Sequence, residues 1–124
     1  LSVDSKGKVK LSRVVCAVDC GTAINPSGVE AQVQGATVDG LSTALKAAIT
    51  LDKGAVVEGS WDTYQWLSMD EMPKIEVHIV PSQESPGGMG EVGFPATAPA
   101  VANAIFAATG KRVTHLPIRA SDLV

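Results

Sequence analysis

VKLSRVVCAVDCGTAINPSGVEAQVQGATVDGLSTAL, residues 9–45, is the stretch that decides the fold. From Val9 to Val18 polar and apolar side chains first alternate and then give way to apolar ones. That pattern predicts a strand covered on both faces, and so central in its sheet. The turn formers that follow lead to Asn25 and Pro26. Proline suits the first turn of a helix, where its missing N–H is not needed. A helix is predicted from about Pro26 to Ile49, with Val38, Leu41, Leu45 and Ala48 on its core face. Gly28, Gly35 and Gly40 inside it each cost about 1 kcal/mol relative to alanine. Close approach of another backbone or of a ligand is expected to compensate.

Downstream, Thr50 to Trp61 reads as a hairpin turned by Asp52, Lys53 and Gly54, and a loop bearing Trp61, Tyr64 and Trp66 follows. Lys74 to Val80 alternates as a half-buried strand, with Ile75, Val77 and Ile79 on one face and Lys74, Glu76 and His78 on the other. Pro81 to Pro99 holds four glycines and four prolines in nineteen residues, too many for a regular element. Loops of that length in compact domains are usually functional or disordered. A second helix is predicted from Ala98 to about Thr109, capped by Thr97, with Pro99 in its first turn and Val101, Ile105 and Ala108 as its apolar stripe. Gly110 ends it, and the tail is expected to extend briefly and fray. This order gives an α+β fold, a mixed sheet with two main helices, over a single domain spanning residues 1–124.

The composition narrows the possibilities further. With 124 residues, 45% of them hydrophobic, the chain is long enough for one core. Ten Lys and Arg against thirteen Asp and Glu give a net charge of -3, which disfavours nucleic acid and anionic membranes as partners. No apolar run reaches the roughly 20 residues of a spanning helix, so a soluble chain without membrane insertion is expected. The chain enters a strand-like pattern directly from Leu1, and is expected to be a fragment of a longer protein. Cys16 and Cys20 lack the further ligands at suitable spacing that zinc needs, so no metal site of protein ligands alone is expected. Two buried reduced thiols are the simpler reading. His78 and His115 read as structural or exposed, and Asp19 and Asn25 as turn or capping residues.

Chemistry concentrates in PGGMGEVGFP, residues 86–95, where Glu91 is the sole carboxylate. The flanking glycines let a bulky ligand approach the main chain. A carboxylate there can serve as a general base if its surroundings raise its pKa, or it can be a solvated turn residue. The loop lacks the Lys-Ser/Thr ending of a phosphate-binding P-loop, so nucleotide hydrolysis fits poorly.

Four blocks, VVCAVDCGTAINP, EAQVQGATVDGLSTAL, MDEMPKIEVHIVPS and ESPGGMGEVGFPATAPAVANAIFAATGKRVTHLPI, occur in this order between about Val9 and Ile118. Together they resemble the C-terminal part of the molybdenum-binding subunit of the xanthine oxidase family. The branch that includes isoquinoline 1-oxidoreductase and bacterial aldehyde dehydrogenases is the nearest. The resemblance implies part of a larger molybdopterin-binding domain, whose enzyme hydroxylates an aldehyde or an N-heteroaromatic small-molecule substrate with water as the oxygen source. It assigns the catalytic glutamate to Glu91, in the Gly-x-Gly-Glu loop of Gly88, Met89 and Gly90, as the base that takes a proton from a molybdenum-bound hydroxyl. It assigns cofactor contacts to Gln32, Gln34, Gly35, Gly88, Met89 and Gly90, although relatives commonly carry glutamate where this chain has Gln34. An amide suits a pterin edge because it both donates and accepts.

The cofactor implied is molybdopterin with molybdenum, in its cytosine dinucleotide form, with [2Fe-2S] clusters on a partner iron–sulfur subunit. The other implied partners are the remainder of the molybdenum subunit and a cytochrome c electron acceptor. A bacterial enzyme, periplasmic or cytoplasmic, is implied. The rival reading is a non-catalytic interaction or scaffold module that retains the fold without the cofactor. Retention of Glu91 and Gln32 argues against it.

Overall fold

In the computed structural model, which describes residues 1–124, the chain opens with an antiparallel ladder between Ser2–Val3 (β1) and Val9–Lys10 (β2). Its turn is held by Asp4, whose carboxylate accepts the Lys6 and Lys8 N–H groups at 2.8 and 2.9 Å. The strand expected over Val9–Val18 is thus two pieces, because the chain leaves β1 at Leu11 and Ser12 before Arg13–Val18 (β3) finds a different partner. That partner is Lys74–Ile79 (β6), paired in parallel from Arg13 opposite Lys74 to Val18 opposite Ile79. Parallel neighbours need a long crossover. Here it contains the helix Pro26–Leu45 (α1) and a small hairpin of Leu51–Asp52 (β4) and Ala55–Val56 (β5).

The expectation that β3 is covered on both faces is corrected within these residues. Val14, Cys16 and Val18 turn inward, whereas Arg13, Val15 and Ala17 are exposed, Val15 by 49%. A two-stranded sheet packed on one side leaves its other side open. On β6, Ile75, Val77 and Ile79 are half-buried and Lys74 and His78 exposed, as the alternation requires. Glu76 is less exposed than either, because it accepts Arg13 Nε and Nη2 at 3.0 and 2.7 Å and pairs with Lys74 at 2.9 Å. Cys16 and Cys20 are free thiols, half-buried and buried.

α1 starts as expected, with Asn25 Oδ1 accepting the Gly28 N–H at 3.2 Å and proline in its first turn. It stops at Leu45 rather than Ile49, where the Lys46 and Ala47 N–H groups both close on the Ser42 carbonyl. Its buried stripe runs through Val33, Thr37, Gly40, Leu41 and Ala44, while Val38 and Leu45 are only half-buried and Ala48 lies outside the helix. The Thr37 hydroxyl is satisfied by the Val33 carbonyl at 2.8 Å, which lets a polar residue sit in the core. The β4–β5 turn takes positive φ at Lys53 and Gly54, the geometry that matches the twist of paired strands.

The second helix, Thr97–Thr109 (α2), buries Val101 and Ile105 as expected. Ala108 is exposed, because the stripe steps from Ile105 to the half-buried Thr109, whose hydroxyl donates to the Ile105 carbonyl at 2.8 Å. Thr97 is the first helical residue and not the cap; its hydroxyl donates to the Gly93 carbonyl at 2.8 Å. Gly110 ends the helix at φ 73° as predicted. The tail does not fray. Its Val113, Ile118 and Leu123 join Leu41, Ala44, Val101 and Ile105 in one core cluster. The Ile118 N–H also satisfies the Ala44 carbonyl, which lacks a partner of its own near the end of α1, at 2.7 Å.

Gly40 is where the two helices meet. A Cβ added there would lie 2.7 Å from Thr97 Cβ and 3.1 Å from the Phe94 carbonyl oxygen, whereas one added at Gly35 would meet nothing within 4 Å. Two alanine substitutions in the same helix should therefore have opposite signs. Gly40→Ala loses about 1–3 kcal/mol through overpacking, and Gly35→Ala gains up to about 1 kcal/mol through helix propensity. Thermal unfolding of the two variants reads the signs directly; a shared sign means that the close approach is relaxed in solution.

A second prediction concerns acid. Glu71 accepts from Lys46 and from the Ser68 N–H and hydroxyl, which hold its carboxyl at about 2 instead of 4.5. Glu76, beside Arg13 and Lys74, is likewise lowered to about 2. Because the folded pKa values are depressed, the stability these groups contribute is complete above pH 4.5 and is lost as pH falls toward 2. Urea unfolding across that range should show the loss, and Glu71→Gln should make the acid limb shallower. An unchanged limb would mean that Lys46 and Glu71 do not pair in solution.

Candidate functional site

The loop after β6 hangs from the carboxyl ends of the two parallel strands, the edge at which ligands bind in open α/β sheets. The Val80 N–H extends the ladder to the Val18 carbonyl at 2.8 Å. Beyond it, the Thr22 N–H and hydroxyl both donate to the Glu84 carbonyl at 2.9 Å, and the Gly87 N–H donates to the Cys20 carbonyl at 2.8 Å. Gly21 makes this contact possible. Its φ is 67°, and a Cβ there would fall 2.2 Å from the Ser85 carbonyl oxygen. Asp19 serves the turn as expected, accepting the Gly21 N–H at 3.0 Å.

From Gly87 the loop crosses to α1. Gly93 lies so close to that helix that a Cβ would be 2.9 Å from the Val33 carbonyl oxygen and 3.2 Å from Ala36 Cβ. The Glu91 carbonyl accepts the Phe94 N–H at 3.0 Å, and the Phe94 carbonyl accepts the Thr97 N–H at 3.1 Å, so the turn bearing Glu91 runs straight into α2.

Between loop and helix lies a cleft of about 580 Å³. Gln32, Gly35, Ala36 and Asp39 line it from α1, and Gly90, Glu91, Phe94 and Pro95 from the loop. The fold therefore brings four of the residues singled out in the sequence, Gln32, Gly35, Gly90 and Glu91, to one place. Gln34 is exposed and sits about 200° around the helix from Gln32. It does not line the cleft, and neither do Gly88 and Met89, which precede the turn. Asp39 and Phe94 were not foreseen. The signal for Asp39 was available: Gln32, Gly35, Ala36 and Asp39 step by three, one and three, which makes one helical face.

Glu91 and Gln32 are both exposed. The sequence reading calls for a buried base, whereas within residues 1–124 the Glu91 side chain is open to solvent. The cleft nevertheless suits the pterin part of a cofactor. At Gly35 and Gly90 an added Cβ would meet no atom within 4 Å, leaving bare backbone beside an amide. The lining carries two carboxylates and no cation, so it can accept from N–H donors and offers a phosphate no positive charge.

Comparison with known proteins gives this cleft a context. Residues 2–73 match a family described as "Molybdopterin cofactor-binding domain". The chain is 37% identical over 120 residues to the membrane-bound aldehyde dehydrogenase (pyrroloquinoline-quinone) of Gluconacetobacter polyoxogenes, covering 97% of this chain and 16% of that protein. It is 35% identical over 115 residues to isoquinoline 1-oxidoreductase subunit beta of Brevundimonas diminuta, covering 93% and 15%. Among solved structures, quinoline 2-oxidoreductase from Pseudomonas putida 86 superposes with a TM-score of 0.85 at 23% identity, over 95% of this chain and 16% of that one, which shows a shared α+β fold.

The fold and these matches are those of a cofactor-binding domain, and the chain spans less than a fifth of the length of these relatives. It belongs to the molybdopterin cofactor-binding domain family, among the molybdenum subunits of the xanthine oxidase type.

Proposed function

We propose that the cleft between α1 and the Glu91 turn is one wall of the molybdopterin site of a hydroxylase that oxidises an aldehyde or an N-heteroaromatic substrate, with water as the oxygen source. One observation carries the reading: Gln32 and Glu91, distant in sequence and on different elements, line the same cleft beside two glycines that leave backbone bare. When bound, the molybdenum–pterin group supplies two-electron redox chemistry. The Gln32 amide donates to and accepts from the pterin edge, and Gly35 and Gly90 let it lie against the main chain. Glu91 takes up, at a carboxylate oxygen, the proton that water gives up as its oxygen passes to the substrate carbon. A cofactor role for Gln34, Gly88 and Met89 rests on the resemblance alone.

The same reading makes residues 1–124 one portion of a larger cofactor-binding domain. The remainder of the molybdenum subunit closes the cleft and buries Glu91. The cofactor is the cytosine dinucleotide form, and electrons leave through [2Fe-2S] clusters on an iron–sulfur subunit, with a cytochrome c as acceptor. The enzyme is bacterial, in the periplasm or cytoplasm; no helix of the chain is long and apolar enough to cross a membrane.

Glu91→Gln in the assembled enzyme keeps size and hydrogen bonding but removes the base. Turnover should fall about 100-fold to 10,000-fold, with molybdenum content unchanged on the same sample. Normal turnover at full metal loading sinks the assignment. Gly35→Val puts a branched side chain into the cleft at a position with open space around it. Molybdenum content should fall while the subunit stays folded, and normal loading would show that the cofactor does not touch this helix. Molybdenum near one per site separates the enzyme from a cofactor-free scaffold, and from the quinone cofactor that one relative's name carries.

A further inference from the structure

We propose that Thr97 is a positioning residue for Glu91, its hydroxyl fixing the one peptide of the turn that the backbone leaves loose. The proposal deepens the reading of Glu91 as the base and rests on it. Glu91 is exposed, and what holds it is its backbone, through the Phe94 N–H on its carbonyl at 3.0 Å. The place of the carboxylate therefore depends on the turn from Glu91 to Thr97.

That turn cannot close as a regular helix. Four residues beyond Glu91 stands Pro95, which has no N–H to give, so the Glu91 carbonyl takes the nearer one of Phe94. Four residues beyond Gly93 stands Thr97, whose N–H goes to the Phe94 carbonyl at 3.1 Å. The Gly93 carbonyl is left to the Thr97 hydroxyl, which donates to it at 2.8 Å.

Gly93 is also where the turn pivots most easily. Without a Cβ it can adopt backbone conformations closed to other residues, two positions from Glu91. A side chain cannot stiffen it, because a Cβ there would fall 2.9 Å from the Val33 carbonyl oxygen. Thr97 supplies the restraint from outside. It is only 7% exposed, and it is seated on α1 where Gly40 leaves room for it: a Cβ at Gly40 would lie 2.7 Å from Thr97 Cβ and 3.1 Å from its Cγ2. One hydroxyl thus ties the turn that bears Glu91 to the helix that bears Gln32.

Thr109 provides a matched control. Its hydroxyl donates to the Ile105 carbonyl, also four residues back and also at 2.8 Å, but about 18 Å further along α2 and with no loop to hold. At either position serine keeps the hydroxyl and alanine removes it. Comparing the two isolates one hydrogen bond, whose net worth corresponds to about fivefold in an equilibrium.

The first readout is amide hydrogen exchange in the molybdenum-loaded holoenzyme, with no substrate present. Exchange at Phe94 and Thr97 should be at least about fivefold faster in Thr97→Ala than in Thr97→Ser, and the same in Thr109→Ala as in Thr109→Ser. The second is steady-state turnover of benzaldehyde and of isoquinoline with a dye as electron acceptor. For whichever is oxidised, kcat should be at least about fivefold lower in Thr97→Ala than in Thr97→Ser, with KM within about twofold. The two Thr109 variants should match. In a Glu91→Gln background Thr97→Ala and Thr97→Ser should turn over alike, because a residue that acts only through Glu91 has nothing left to position. If Thr97→Ala does not load molybdenum, Thr97→Val, which keeps the packing on Gly40, takes its place in every comparison.

Equal exchange or equal kcat with and without the Thr97 hydroxyl, a loss that persists undiminished in the Glu91→Gln background, or the same loss at Thr109 overturns the proposal. Exchange is read whether or not either compound is oxidised. Glu91→Gln alone separates this failure from that of the reading beneath it. If that variant loses turnover while Thr97→Ala and Thr97→Ser stay equal, Glu91 is the base and Thr97 does not place it. If it turns over normally with molybdenum in place, the reading of Glu91 itself has failed.

Discussion

The parallel pairing of β3 with β6 is the constraint on which the rest depends. Six residues of each strand are in register, from Arg13 opposite Lys74 to Val18 opposite Ile79. Because the strands run the same way, the segments leaving them, Asp19–Asn25 and Pro81–Ala96, emerge side by side at one end. Antiparallel pairing would have put them at opposite ends. The Thr22–Glu84 and Cys20–Gly87 hydrogen bonds then continue the pairing beyond the sheet, so an irregular segment inherits the registration of a regular one. At the other end of the same ladder Glu76 pairs with Arg13 across the strands and with Lys74 along its own strand.

Two close approaches fix the remaining freedom. At Gly93 the loop touches the backbone of α1, and at Gly40 the helix touches the first turn of α2 and the Phe94 carbonyl. Together they grip α1 along one flank of the Gln32–Asp39 face. Glu91 itself has no such anchor for its side chain, only for its backbone. An exposed carboxylate carried on a rigid turn can have its environment set by whatever covers the cleft. In the molybdopterin site proposed here, that cover is the rest of the subunit.

Much of this was legible from the residues. Turn chemistry located Asn25–Pro26, Lys53–Gly54 and Gly110, because each of those positions imposes its own backbone preference. Period-two alternation found β6, and of the three glycines of α1 expected to meet a backbone or a ligand, Gly40 meets the Phe94 carbonyl, Gly28 only the Asn25 side chain, and Gly35 no atom of the chain. The misses share one cause. The extent of β3, the stripe at Ala108 and the fate of the tail all depend on partners far away in sequence, which local pattern does not encode. Ile118 is an ordinary apolar residue until the end of α1 presents a free carbonyl. In the cleft, Gln32 and Glu91 stood out through resemblance, whereas Asp39 needed the helical face to be traced from Gln32 onward.

The core cluster has a consequence for how the chain folds. Leu1, Val3 and Val9 pack against the same group as Ile118 and Leu123, so segments more than a hundred residues apart close one interior. Long-range closure of this kind is intrinsically slow. Until those segments meet, the apolar residues of β1, β2 and α1 that line this interior stay open to water.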